Sequence, residues 1–151
     1  MMDVLTIHAI VGLQESGWFA GRKIPVDSSL RAWGDIDRLP NPEVESAVRE
    51  FCSLRVRHPH HWSKGADDFT EIDPVRAVSN TYLPVLMGEY EPAAGQRLTP
   101  VGLMGCGVLL FLGEDGAVYG GNSPYVGKYG GSIKEFWNLL YSDRRPEVIK
   151  C

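Results

Sequence analysis

The chain has 151 residues, enough for one domain with a real core, and its 44% apolar and 23% charged residues exclude a wholly disordered chain. A formal net charge of -4 supplies no basic face for nucleic acid and suits a basic protein partner. The three cysteines, Cys52, Cys106 and Cys151, form no CxxC and no disulfide framework, which fits a reducing cytoplasm.

The first apolar run, VLTIHAIVGL (4–13), follows Met1-Met2-Asp3, which lacks the cation of a secretory signal. It also falls short of the roughly 20 residues of a membrane span. Val4, Ile7 and Val11 share one helical face with Leu5 beside it, and residues 14–17 end this helix. GWFAGRKIPVD (17–27) reads as a structured turn leading to an extended piece, with Arg22 held by a carboxylate. Asp27 or Ser28 caps a helix that carries Leu30, Trp33 and Ile36.

In LPNPEVESAVREFCSL (39–54), Asn41 suits the N-cap and Pro42 the first helical position. Val44, Ala47, Val48 and Phe51 make one apolar stripe, and Cys52 reads as core. Leu54 and Val56 alternate with Arg55 and Arg57 as a half-exposed strand. HPHHWSKGADDF (58–69) reads as a loop, Phe69 and Ile72 as a short strand, and Asp73-Pro74 as the cap and start of a helix. Pro84, Gly88, Pro92 and Gly95 keep any helix in 84–97 short.

From Leu98 the period changes. RLTPVGLM, VLLFLGE, AVYGG and YVGKY read as four strands of an antiparallel meander. Val108–Leu112 is continuously apolar, which predicts a central strand covered on both faces. Pro100 demands an edge or a bulge. Asp115-Gly116 predicts a two-residue hairpin turn with positive φ at both positions. The glycines of GGNSPYVGKYGG (120–131) read as turn residues. Ser132 and Glu135 form a capping box, and Ile133, Phe136, Trp137 and Leu140 make the stripe of a closing helix. The fold class is therefore α+β: one domain over 1–151, an antiparallel meander packed by N-terminal helices and a C-terminal helix. Trp18, Trp33, Phe136 and Trp137 are assigned to its core.

A search for chemistry finds little. His58, His60 and His61 suggest a metal site, yet their loop context fixes no coordination geometry. The acidic residues at 67–73, Glu89 with Glu91, and Glu114-Asp115 sit in turns, where solvation or capping explains them. No nucleophile elbow, P-loop or dinucleotide fingerprint occurs, and Arg22, Lys23 and Arg31 are too sparse for a phosphate site. No cofactor is implied. A binding module is favoured over an enzyme.

Several pieces stand in a telling order: GWFAGR (17–22), PEVESAVREFCSLRV (42–56), DPVRA (73–77), RLTPVG (97–102), LLFLGEDGAVYGG (109–121) and a helix after GGS. Together they resemble the third subfamily of SUKH immunity proteins over about residues 10–141. Cys52-Ser53 stands where such proteins often carry Gly-Gly, and the HPHHWSKGADD insert departs from the pattern. The resemblance implies a SUKH-like fold and a cytoplasmic antitoxin. It would bind a cognate toxin protein, such as a nuclease or nucleic-acid deaminase domain, with no catalysis and no direct nucleic-acid or membrane contact. Candidate partner contacts are Trp62 and Tyr125 as aromatic anchors, Asp67, Asp68 and Glu71 as an acidic loop, and Glu114-Asp115 at the hairpin tip. Two other readings stand beside it: a metal-dependent enzyme using the His58, His60 and His61 loop with Asp67 and Asp68, and a regulatory scaffold for a non-toxin partner.

Overall fold

The computed structural model describes residues 4–151, so the reading of Met1-Met2-Asp3 lies outside the described residues. In chain order come helices α1 (Ile7–Glu15), α2 (Asp27–Asp35) and α3 (Pro42–Phe51), strands β1 (Leu54–Pro59) and β2 (Asp67–Ile72), and helix α4 (Pro74–Ser79). Short helices α5 (Leu83–Val85) and α6 (Glu91–Ala94) flank a π turn, Leu86–Tyr90. Strands β3 (Leu98–Met104), β4 (Leu109–Gly113), β5 (Val118–Asn122) and β6 (Tyr125–Gly130) follow, then α7 (Ile133–Leu140) and β7 (Glu147–Lys150). All seven strands form one antiparallel sheet in the order β1-β2-β3-β4-β5-β6-β7.

The apolar run at the centre behaves as its pattern requires. Leu110 and Leu112 of β4 enter the larger core cluster, with Trp33, Val48, Phe51 and Trp137. Phe111 points the other way, into a smaller cluster with Leu86, Tyr90 and Leu98. Pro100 is accommodated by a bulge between Pro100 and Gly102, inside the sheet and not at its edge. The Trp33 indole donates to the freed Pro100 carbonyl at 2.7 Å. At Gly102 a Cβ would overlap the Glu71 carbonyl, so only glycine lets β2 join β3 there.

The caps read from sequence hold at three helices. Asn41 Oδ1 accepts from the Val44 amide, Asp73 Oδ1 from Arg76, and Ser132 Oγ from Glu135. At α2 the expectation fails: the N-cap is Val26, and Asp27 lies in the first turn. The α1 stripe is inverted. Val4, Ile7 and Val11 are exposed, whereas Ala9 and Leu13 are buried. The small face wins because Gly12 lets the Tyr141 side chain of the α7 terminus press onto the helix, where any Cβ would overlap it. Arg22 is held by Glu50, but through its backbone carbonyl; the Glu50 carboxylate takes the Trp18 indole instead.

Four further differences concern the strands. Residues 58–69 are not all loop: His58 and Pro59 extend β1, and Asp67–Phe69 open β2. The hairpin tip is a three-residue loop, closed by Gly116 N donating to Gly113 O, with positive φ at Gly116 and not at Asp115. Gly120, Gly121 and Gly127 lie within strands, where the rings of Tyr129, Tyr90 and Tyr125 fill the space a Cβ would need. Helix α7 is not the last element, because β7 adds to β6 after it.

In the altered turn after α3, Ser53 takes the left-handed conformation, φ 66°, that glycine adopts freely. Its amide still reaches the Ile72 carbonyl at 2.8 Å. Ser53→Gly is therefore expected to raise the thermal midpoint, by up to about 1 kcal/mol of stability. Trp33→Phe removes the donor to a buried carbonyl and is expected to cost about 1–3 kcal/mol in chemical denaturation.

Candidate functional site

The β1–β2 hairpin carries the loop at residues 60–66 to one end of the sheet. His60 builds that loop: its Nδ1 accepts from the Trp62 and Ser63 amides at 3.0 and 3.1 Å. Its own amide donates to the Ala66 carbonyl. So fixed, Trp62 stands 42% exposed over the end of the sheet. Its ring meets Tyr125 edge-on, with centroids 6.0 Å apart, and the Arg145 guanidinium lies 5.6 Å from its centroid. Trp62, Tyr125, Cys106, Val108, Asn122 and Val148 line a mostly apolar hollow of about 390 Å³.

Beside the loop lies a second hollow of about 620 Å³, lined by the charged Arg55, Arg57, Asp67 and Asp68 together with His60, Phe69 and Gly105. Arg55 stacks on the Phe69 ring at 3.8 Å, which covers an apolar side chain on the outer face of the sheet. Arg57 pairs with Asp67 at 3.0 Å. Glu71 accepts from Arg55 and Arg76 at 3.3 and 2.9 Å. These carboxylates are strand residues and not the acidic loop expected, because the inward side of β2 carries Thr70 and Ile72 in register with β1.

The three histidines make separate contacts. His58 is buried; its Nδ1 donates to the Pro59 carbonyl, which leaves Nε2 to accept from the Thr70 hydroxyl at 2.7 Å. His61 packs edge-on against Tyr129, and its Nε2 is buried without a partner. Among the described residues no group of three or more His, Cys, Asp or Glu side chains is placed to hold a metal ion.

The sequence matches the SUKH-3 immunity protein family over residues 8–143. The chain belongs to the SUKH-3 immunity proteins. No curated protein and no solved structure matches it. The α+β architecture is the one the family resemblance implied. Among the described residues, no helix of this SUKH-3 chain is long and apolar enough to cross a membrane.

The candidate contacts of this SUKH-3 protein divide between the two ends of its sheet. Trp62 and Tyr125 meet directly. Asp67 and Asp68 line the hollow behind the same loop, and Glu71 lies further along β2. Glu114 and Asp115 stand at the opposite end, where β4 turns into β5. That tip is held from within: Asn41 donates to the Glu114 carbonyl, Gln96 accepts from the Asp115 amide, and Asp115 Oδ1 caps the Ala117 amide. Sequence reasoning missed Arg145 and Val148, which reach Trp62 and its hollow only because β7 folds back beside β6.

Burial sets the proton chemistry near the loop. It pushes the Cys106 thiol up to about 11, which keeps it protonated and unreactive at neutral pH. Burial, reinforced by His58 and His60, pulls His61 down to about 4, and burial lowers His58 too. The unfolded chain takes up the His61 proton near pH 6.5, while the folded chain resists until about pH 4. Stability is therefore full above pH 6.5 and falls as pH drops across that window. Denaturation midpoints measured from pH 7 to 4 should fall, and His61→Phe should flatten part of the slope.

Proposed function

We infer that this chain acts as a stoichiometric antitoxin: it binds a cognate toxin by direct protein contact and transforms nothing itself. Family membership supports the class of activity. The observation that carries the binding face is the exposed Trp62, clamped by the His60 turn, in ring contact with Tyr125 and flanked by Arg145. Aromatic and arginine anchors beside an apolar hollow that a partner can cover are the common form of an interface hot spot. Asp67 supplies the polar rim behind the loop, with Glu71 and its arginine partners further along β2, while Asp68 is buried on the inward side of the strand and lines the hollow from within. The toxin fitted by these features is a nuclease or nucleic-acid deaminase domain. Its substrate cleft is basic, and the net charge of -4 steers the two proteins together. The same reading places the protein in the cytoplasm as one domain.

The test uses the toxin encoded beside this gene. Co-expression should rescue growth, and titration calorimetry should show a saturable complex. Trp62→Ala should weaken that complex about 30-fold or more, the cost of truncating an aromatic hot spot. Glu114→Gln, at the far end of the sheet, should leave the affinity within about threefold, as for a residue outside an interface. Failure of the wild-type protein to bind or neutralise the toxin would sink the reading, as would turnover of any small compound lost with one side chain.

A further inference from the structure

The two edges of the sheet are finished differently. At β1 the Arg57 carbonyl is taken by the Tyr141 hydroxyl, and α1 packs against the strand. At β7, nothing among the described residues hydrogen-bonds the outer edge. All four β7 residues are exposed, with Val148 at 52% and Ile149 at 37%. An open edge of this kind is a template for another strand.

The register of β7 decides which strand fits. Val126 opposes Lys150 and Gly127 opposes Val148, so Ile149 is an extra residue, a bulge. Successive residues of β6 face opposite sides of the sheet, and their partners follow them. Val148 therefore shares the side of the Trp62 hollow, which it lines. Lys150 shares the side of Val126, where it approaches Glu89 at 3.9 Å. Glu147, opposite Lys128, falls on the same side as Lys150. In an unbulged strand these two residues, an odd number of positions apart, would face opposite ways.

A two-fold axis normal to the sheet preserves its faces. Set on Val148, it places Val148 against its own copy and Glu147 against Lys150 of the second chain, twice over. Without the bulge, Glu147 would oppose Ile149 and no ion pair would form. We propose that β7 is a self-complementary edge through which two copies of this chain pair antiparallel, joining their sheets into one. The ladder is short, so association is weak and depends on protein concentration. It needs no toxin.

Sedimentation equilibrium of the full chain, from low micromolar to millimolar concentration, tests this. The wild type should pass from monomer to dimer. Glu147→Lys sets lysine against lysine at both ends and should weaken the dimer about tenfold. Adding Lys150→Glu in the same chain restores both pairs with reversed polarity and should recover it. Both substitutions lie on exposed positions, and circular dichroism of each variant is to be compared with the wild type to check that it folds. A monomer at every concentration overturns the proposal. So does a dimer indifferent to Glu147→Lys, or one that the double exchange fails to restore.

Discussion

The structure is organised by one constraint: β4 has no face that can meet water. Leu110 and Leu112 lie in one apolar cluster and Phe111 in the other, each 0–1% exposed. A strand buried on both sides forces the rest of the chain into two covering layers. Helices α1, α2, α3 and α7 supply one layer through Leu13, Trp33, Phe51 and Trp137. Residues 83–94 supply the other through Leu86 and Tyr90. That second layer is irregular for a local reason. Pro92 has no amide to offer the helix and its ring crowds the turn before it, and the π turn Leu86–Tyr90 takes up the mismatch.

Covering the centre leaves the ends and edges of the sheet to carry anything exposed. The loop at 60–66 is a built feature of one end, because a single imidazole nitrogen satisfies two of its amides. Beneath it the core becomes polar. His58 with Thr70 forms a satisfied pair, whereas the His61 ring buries an unpaired nitrogen against Tyr129. A buried unpaired group costs stability, and the Trp137 indole nitrogen in the core carries the same cost. The other end is self-contained, with its backbone groups spent on Asn41 and Gln96.

The candidate site was half legible. Trp62 stood out as an aromatic residue with no stripe to join, and Tyr125 as the ring following a proline turn; the structure brings the two together. The acidic residues were misread as loop because β2 hides its alternation. Phe69, the apolar member, faces outward beneath Arg55, and the polar Thr70 faces inward to His58. Arg145 and Val148 carried no signal at all, since Arg145 lies in an irregular connection and the four-residue exposed strand that holds Val148 has no periodicity to read.

Periodicity and turn chemistry, which depend on neighbours in the chain, were settled by the sequence alone. They include the caps at Asn41, Asp73 and Ser132 and the doubly buried β4, whereas at Pro100 the sequence left an edge or a bulge open and the sheet took the bulge. Tertiary packing decided what depends on distant partners. Tyr141 chose the buried face of α1 through Gly12. The ring of Tyr90 turned the strand glycine Gly121 into a socket. The return of β7 brought Val148 to the Trp62 hollow and left one edge of the sheet open. Local rules act over a few residues, whereas these contacts join residues far apart in the chain, and no short window of sequence contains both sides of them.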